Sequence, residues 1–394
     1  MRTHGTIAIG IRTPIIQAGD DLVSIVADSV LSHIKAENSS MKDGDIIGIT
    51  EAVLARAQNN YVTCQHIADD LRQKFPSGTV GLVFPILSRN RFSILLKGIA
   101  KGVEKLVIQL SYPGDEVGNH LVTAEEVYDK GVNPYTDVFT ETQFRAMFGD
   151  IKHQFTAIDY LELYRSLGDN DNVEIILAND PAEILKHTDQ VLLADIHTRQ
   201  ITRRRLEAAG AKKVYDLTEV LNTPSTEHGY NTEYGLLGSN KADDQRVKMF
   251  PHSCKEFIDA VQAKILEETG ATVEVLVYGD GAFKDPVGKI WELADPVVSP
   301  AFTEGLGGLP NELKLKYIAD TELKGKQGEE ARLAMVERIK QKDADLMGKD
   351  ASEGTTPRKM SDLVGSLCDL VSGSGDKGTP VVLIRGYFDN FSDY

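Results

Sequence analysis

Apolar positions along this chain follow two rhythms. Short runs at 6–11, 46–50, 81–87, 106–110, 173–177, 190–193, 213–215, 272–278 and 379–385 are rich in Val, Ile and Leu. Most are bounded by Gly, Pro, Asp or Asn, the pattern of buried strands. Between them the spacing changes to three and four. In 20–36 the apolar positions Leu22, Ile25, Val26, Val30, Leu31 and Ile34 share one helical face, and Asp20 or Asp21 stands where a cap belongs. The same spacing predicts helices over 66–74, 92–102, 198–209, 255–269 and 362–371, with one starting at Glu51. Gly270 follows the 255–269 helix, as C-terminal caps often do. The 322–345 stretch is charged, and its Glu329–Arg332 and Glu337–Lys340 spacings suit a solvated helix face.

Strands alternating with helices predict an α/β protein with parallel pairing. At 394 residues the chain is too long for one ordinary core, so two domains are expected. Near residue 123 the pattern gives way to long polar and aromatic loops before strands and helices resume. The expected organisation is a mixed α/β core from 1–122 and 226–394, with a parallel α/β module inserted at 123–225.

Composition narrows the function classes. Apolar residues make up 41% and charged residues 26%, which suits a folded globular chain. The formal net charge of −16 repels phosphate backbones and anionic lipid, so neither nucleic acid nor a membrane surface is an expected partner. The run Arg203-Arg204-Arg205 reads as a solvated helix face. Cys64, Cys254 and Cys368 are far apart, with no metal-binding spacing, which favours core roles in a reducing, cytoplasmic setting. No secretory leader and no membrane-length apolar run is read.

Four loops carry candidate chemistry. The strand over 272–278 delivers Asp280 between Gly279 and Gly281, with Asp285 behind it. A carboxylate there suits magnesium or manganese bridging to phosphate, and it equally suits a plain turn. The loop Ser372-Gly373-Ser374-Gly375-Asp376-Lys377-Gly378 can present backbone N–H groups and a lysine to an anion, or merely connect a helix to a strand. It is no Walker loop. Asp115 and Glu116, with Asn119 nearby, follow the buried strand over 106–110 as a second candidate metal edge. Thr50 closes a strand where Glu51 opens a helix, so its hydroxyl is either a cap or a phosphate ligand. No HExxH, GxSxG or strand-borne GxGxxG is present, which disfavours zinc hydrolases, serine hydrolases and dinucleotide enzymes.

Read in order, these loops resemble a known family. The segments Thr13-Pro14-Ile15-Ile16-Gln17-Ala18-Gly19-Asp20-Asp21-Leu22 and Asp43-Gly44-Asp45-Ile46-Ile47-Gly48-Ile49-Thr50-Glu51 come first. The Asp280 loop and then Ser374-Gly375-Asp376-Lys377-Gly378-Thr379-Pro380-Val381-Val382-Leu383-Ile384-Arg385-Gly386 follow. The order is similar to that of the gamma-glutamyl ligases of the deazaflavin coenzyme F-420, over roughly 6–60 and 270–390. The resemblance implies nucleotide-dependent amide formation through a phosphorylated carboxylate, with GTP (or ATP), magnesium or manganese, L-glutamate and a small carboxylate acceptor, in a homodimer. Carried over by position, it implies a nucleotide site of Arg12, Thr13, Pro14, Ile15, Thr50, Arg56, Asn119, Gly373, Ser374, Gly375, Lys377 and Gly378. The implied metal ligands are Asp280, Asp115 and Asp376. The chain departs from the family at Thr50-Glu51, where the family has Ser-Thr, at Arg56, where it has lysine, around Asp280, and in the 123–225 module.

Three functions follow as expectations. A ligase predicts metal-dependent nucleotide binding with turnover. A cofactor sensor on the same scaffold predicts binding without phosphate release. A dinucleotide enzyme predicts tight binding of NAD.

Overall fold

The computed structural model describes residues 4–89, 91–153, 156–279, 282–284, 291–293, 298–352, 359–372 and 376–393. Two large sheets organise them. The first has the spatial order Ile7–Ile11, Val381–Arg385, Ile46–Thr50, Glu274–Gly279, Val298–Phe302. Its central pair, Ile46–Thr50 with Glu274–Gly279, is parallel and the other pairings are antiparallel.

Helices Leu22–Ala36 and Cys254–Thr269 cover one face, packing Val26, Val30, Ile258 and Val261 with Ile47, Ile49, Val275 and Val277. Helix Met360–Ser372 covers the other, with Val364 and Cys368 against Ile46, Leu276, Tyr278 and Val382. Successive strand residues point to opposite faces, and both faces are buried, so the strands read as continuous apolar runs. Gly48 lies where the helix comes closest: a Cβ there would stand 2.4 Å from Cys368 Sγ. The expected caps form. Asp21 Oδ1 accepts from Ser24 N at 3.2 Å, and Gly270, at φ +74°, closes Cys254–Thr269.

The second sheet has the order Phe139–Thr140, Val173–Leu177, Lys105–Leu110, Thr79–Val83, Gln190–Leu193, Lys213–Asp216. All pairs are parallel except that of the edge strand Phe139–Thr140. Cys64–Lys74, Ser93–Gly102 and Tyr160–Ser166 pack on one face, while Pro181–Lys186 and Arg199–Ala208 pack on the other. Thr79–Val83 and Lys105–Leu110 thus belong to this sheet, which reaches wider than the 123–225 stretch. Parallel ladders carry no hairpin signal, so their pairing was not readable locally.

Several elements differ from the periodic reading. The strand expected over 81–87 stops at Val83, because Phe84 takes φ +54° and Pro85 follows. A 3-10 turn, Pro181–Lys186, opened by Asp180, precedes strand Gln190–Leu193. Helices Ala124–Asp129 and Glu141–Phe148 interrupt the supposed loops. Each begins with a capping box, Thr123 with Glu126 and Thr140 with Gln143, which is a readable sign.

A small antiparallel sheet of Asn240–Lys241, Arg246–Lys248 and Tyr61–Thr63 lies between the large ones in the chain path. Buried Asn60 anchors it: Nδ2 donates to Phe250 O at 2.7 Å and Tyr230 O at 3.0 Å, and Oδ1 accepts from Tyr230 N at 2.9 Å. Among the described residues no helix is long and apolar enough to cross a membrane. The three cysteines are buried and free. Burial pushes the Cys254 thiol up to about 12 and raises that of Cys368 as well, so neither is a ready nucleophile.

Candidate functional site

The parallel pair of the first sheet ends at a crowded edge. Thr50 stands opposite Tyr278 in the ladder, and Thr50 N donates to Pro380 O at 3.0 Å. Helix Glu51–Ala57 starts here, yet the Thr50 side chain makes no capping hydrogen bond. The cap reading of Thr50 is therefore not realised.

A cleft of about 930 Å³ opens over this edge. Thr13, Pro14, Ile15 and Ile16 line one side, with Thr50, Ala52, Val53 and Arg56 next to them. Asp369, Leu370 and Ser372, from the end of Met360–Ser372, and Gly378, Thr379 and Pro380 complete it. Five residues of the expected nucleotide site, with Arg56 as a sixth, thus meet in one opening from three separated segments.

The first wall is held in place by named bonds. Arg56 Nε donates to Ile16 O at 2.5 Å and its Nη2 to Gln17 Oε1 at 3.4 Å. Gly19 N donates to Ala57 O at 2.8 Å, from a backbone at φ +87° that favours glycine. Gln17 N donates to Asp20 Oδ2 at 2.7 Å. The wall thereby offers Ile15, 82% exposed, to the cleft. An apolar side chain held out on a rigid loop suits contact with a planar or apolar ligand group.

Arg12 and Lys377 line a neighbouring open groove of about 910 Å³, which shares Pro14 and Thr379 with the cleft. Asp28, Ser32 and His33 of the first helix face the same groove. Two cations therefore line the groove that adjoins the cleft.

Glu51, the departure from the expected Ser-Thr pattern, turns inward. It is buried at 5% exposure, and Lys248 Nζ lies 3.2 Å from its Oε1. A Cβ on Gly279 would stand 2.4 Å from Glu51 Cγ and 3.4 Å from the Phe250 ring. Glycine at that strand end is what gives Glu51 its place. Lys248 escaped the sequence reading because it lies 197 residues from Glu51 and no local pattern links them. Asp369 was missed because helical periodicity marks core residues, not the rim of a helix end.

Asp115 and Asn119 are placed elsewhere. They follow strand Lys105–Leu110 of the second sheet. Asp115 accepts from Leu87 N at 2.7 Å, Val117 N at 3.1 Å, Asn119 N at 2.8 Å and Asn119 Nδ2 at 2.9 Å. Burial raises its pKa, and those hydrogen bonds counter the rise only in part. Here the pair organises its own loop, and neither residue lines the cleft. Glu116 likewise accepts from His197 N at 3.1 Å. Asp280, Gly281, Asp285, Gly373, Ser374 and Gly375 lie outside the described residues. Asp376 is exposed and directly precedes Lys377 and Gly378 of the two openings.

Among the described residues no three metal-ligating side chains converge. Magnesium needs no such cage. It commonly takes one or two carboxylates and completes its shell with water and phosphate. Asp369 on the cleft and Asp376 beside it fit that donor chemistry.

The family model described as F420-0:Gamma-glutamyl ligase matches residues 10–386. A search of curated proteins finds no match.

Proposed function

The chain belongs to the F420-0:gamma-glutamyl ligase family, and from that membership we propose that it joins an amino acid, foremost L-glutamate, to a small carboxylate acceptor at the expense of GTP or ATP. The observation that supports this most is the cleft itself. It gathers Thr13, Pro14, Ile15, Thr50, Arg56 and Gly378, residues that the ordered loops assigned to a nucleotide.

The proposed chemistry has two steps. An oxygen of the acceptor carboxylate attacks the terminal phosphorus, and the nucleoside diphosphate leaves. The amine of the amino acid then attacks the acyl carbon, inorganic phosphate leaves, and the amine releases a proton to solvent. Little covalent work falls to the protein, so its task is positioning and charge stabilisation. Arg56, Arg12 and Lys377 would oppose the charge of the phosphates, and Thr50 Oγ1 would donate to one of their oxygens. Ile15 would pack against the base or the acceptor. Asp369 and Asp376, joined by Asp280 on the sequence pattern, would hold magnesium or manganese, which would neutralise phosphate oxygens. A homodimer belongs to the same proposal, and light scattering tests it.

Calorimetry with GTP and with ATP, each with magnesium or manganese, tests the first half. Arg56→Ala should weaken nucleotide binding about tenfold by removing a charged donor. Absence of any nucleotide binding by the intact chain would end the reading. Phosphate release on adding L-glutamate and candidate acceptors tests the second half. A second reading, binding without turnover, draws support from Glu51, a buried ion-paired residue at a family Ser-Thr position. Phosphate release would exclude it.

A further inference from the structure

The second sheet holds a cavity that the ligase reading does not use. Its parallel strands run outward from Thr79–Val83 in both directions. Lys105–Leu110 and then Val173–Leu177 lie on one side, Gln190–Leu193 and then Lys213–Asp216 on the other. The connections therefore diverge between Thr79–Val83 and Gln190–Leu193. In open parallel sheets, ligands bind beyond the carboxyl ends of the strands at such a point. A cavity of about 250 Å³ sits there.

The chain after Thr79–Val83 contributes Ile86, Phe92 and Leu95, and the chain after Gln190–Leu193 contributes Ala194, His197 and Arg199. Tyr234, Leu237 and Phe250 close the far wall. The body of the cavity is thus apolar and aromatic, while Arg91, His197, Arg199 and Ser239 are polar residues of its lining. Arg199 is held firmly. Its Nη1 donates to Ile196 O, and Asp195 Oδ2 fixes the same turn by accepting from Thr198 Oγ1 at 2.7 Å and Thr202 Oγ1 at 2.6 Å. Glu116 accepts from Ile196 N and, at 3.1 Å, from His197 N. Asp195 Oδ2 and Glu116 are thereby engaged with the turn, although Asp195 Oδ1 is buried without a hydrogen-bond partner among the described residues. Arg199 Nε is likewise buried and has no hydrogen-bond partner among the described residues. A buried donor without an acceptor costs free energy, and a bound anion would satisfy it.

Size and chemistry select the occupant. Drug-sized ligand pockets span about 300–1,000 Å³, so this cavity suits one ring system rather than a dinucleotide. The loop after Thr79–Val83 reads Phe84-Pro85-Ile86-Leu87-Ser88 and lacks the glycines that admit a pyrophosphate. We propose that this cavity binds a small aromatic carboxylate, its ring among Phe92, Leu95, Leu237 and Phe250 and its carboxylate on Arg199. No residue lines both this cavity and the cleft, and the proposal does not depend on the ligase reading.

Calorimetry on the full chain tests this with indole-3-acetate and benzoate as probes and their neutral amides as controls. At least one carboxylate should bind one per chain and more tightly than its amide. Arg199→Gln should weaken the carboxylate about tenfold and hardly change the amide, whereas Arg199→Lys should restore much of the loss. Leu237→Trp, at a half-buried wall position, should fill the cavity and abolish binding of both. Thermal melting of each variant shows that it folds. No binding of either carboxylate at millimolar concentration overturns the proposal, as does equal affinity for acid and amide. Binding that survives both Arg199→Gln and Leu237→Trp also overturns it, because the ligand would then sit elsewhere.

Discussion

The first sheet is assembled from strands at Ile7–Ile11, Ile46–Thr50, Glu274–Gly279, Val298–Phe302 and Val381–Arg385, whereas the second takes all its strands from the stretch between Thr79 and Asp216. Their openings differ accordingly. The cleft of the first is lined by segments brought together from both ends of the chain, and it is wide, with Arg56 and Asp369 in its lining. The cavity of the second lies beyond its strand ends, closed by Tyr234, Leu237 and Phe250, and is small and largely apolar. A site built from distant segments exists only once the whole chain is folded, while a switch-point cavity follows from the topology of one contiguous stretch. Damage to the first region should therefore cost cleft function readily, and damage to the second should spare it.

The seam between the regions gives the largest expected break. Lys248, in the small sheet, pairs with Glu51 at the edge of the first sheet, and both are largely buried. Lys248→Met removes one partner and leaves a carboxylate in a poorly solvated place, which should cost about 3 kcal/mol. The denaturant midpoint measures it. A loss below about 0.5 kcal/mol would mean that the pair behaves as a solvated one and that the seam contributes little.

Close glycine contacts give a sharper and smaller test, one within each region. A Cβ at Gly48 would stand 2.4 Å from Cys368 Sγ, and one at Gly81 would stand 2.3 Å from Ile184 Cγ1. Gly48→Ala and Gly81→Ala should each cost about 1–3 kcal/mol through overpacking. Cys368→Ala should relieve the first and Ile184→Ala the second. Since the sites share no partners, the costs should add to within about 0.5 kcal/mol in the double variant. Strong non-additivity would show that the two sheets yield together. Nucleotide binding should fall with Gly48→Ala and stay unchanged with Gly81→Ala.

The same contrast explains what was legible. Elements of both sheets could be read, because apolar runs and capping residues are local signals: Ile46–Thr50, Val173–Leu177 and Gln190–Leu193 stand where the pattern puts them. The cleft residues Thr13, Pro14, Thr50 and Gly378 were legible as an ordered set of loops, and the structure brings them together. Pairing was not legible. Nothing near Thr79–Val83 announces partners at Lys105–Leu110 and Gln190–Leu193. The Lys248–Glu51 pair and the hydrogen bonds that hold Asp115 in its loop are likewise tertiary facts without a sequence period.

Two Arg–Asp pairs separate the regions most finely, because their carboxylates shift in opposite directions. In the first region Asp45 pairs with Arg385 at 3.2 Å, and burial raises its pKa despite the arginine. In the second, burial also opposes the charge on Asp159. The hydrogen bonds from Arg145 and from Glu162 N outweigh it and hold the carboxyl below its ordinary range. A depressed native pKa gives stability that is present above the unfolded value, near 3.9, and lost as pH falls through the native one. A raised native pKa works the other way: its contribution is fullest at acid pH and is lost as pH rises. The cost of Asp159→Asn should therefore shrink between about pH 6 and about pH 3, while the cost of Asp45→Asn should grow. Urea unfolding of the two variants against the parent across that range measures both slopes, each expected to change by about 1 kcal/mol or less. Slopes of the same sign would mean that Arg385 outweighs burial at Asp45, and the two regions would then share one electrostatic design.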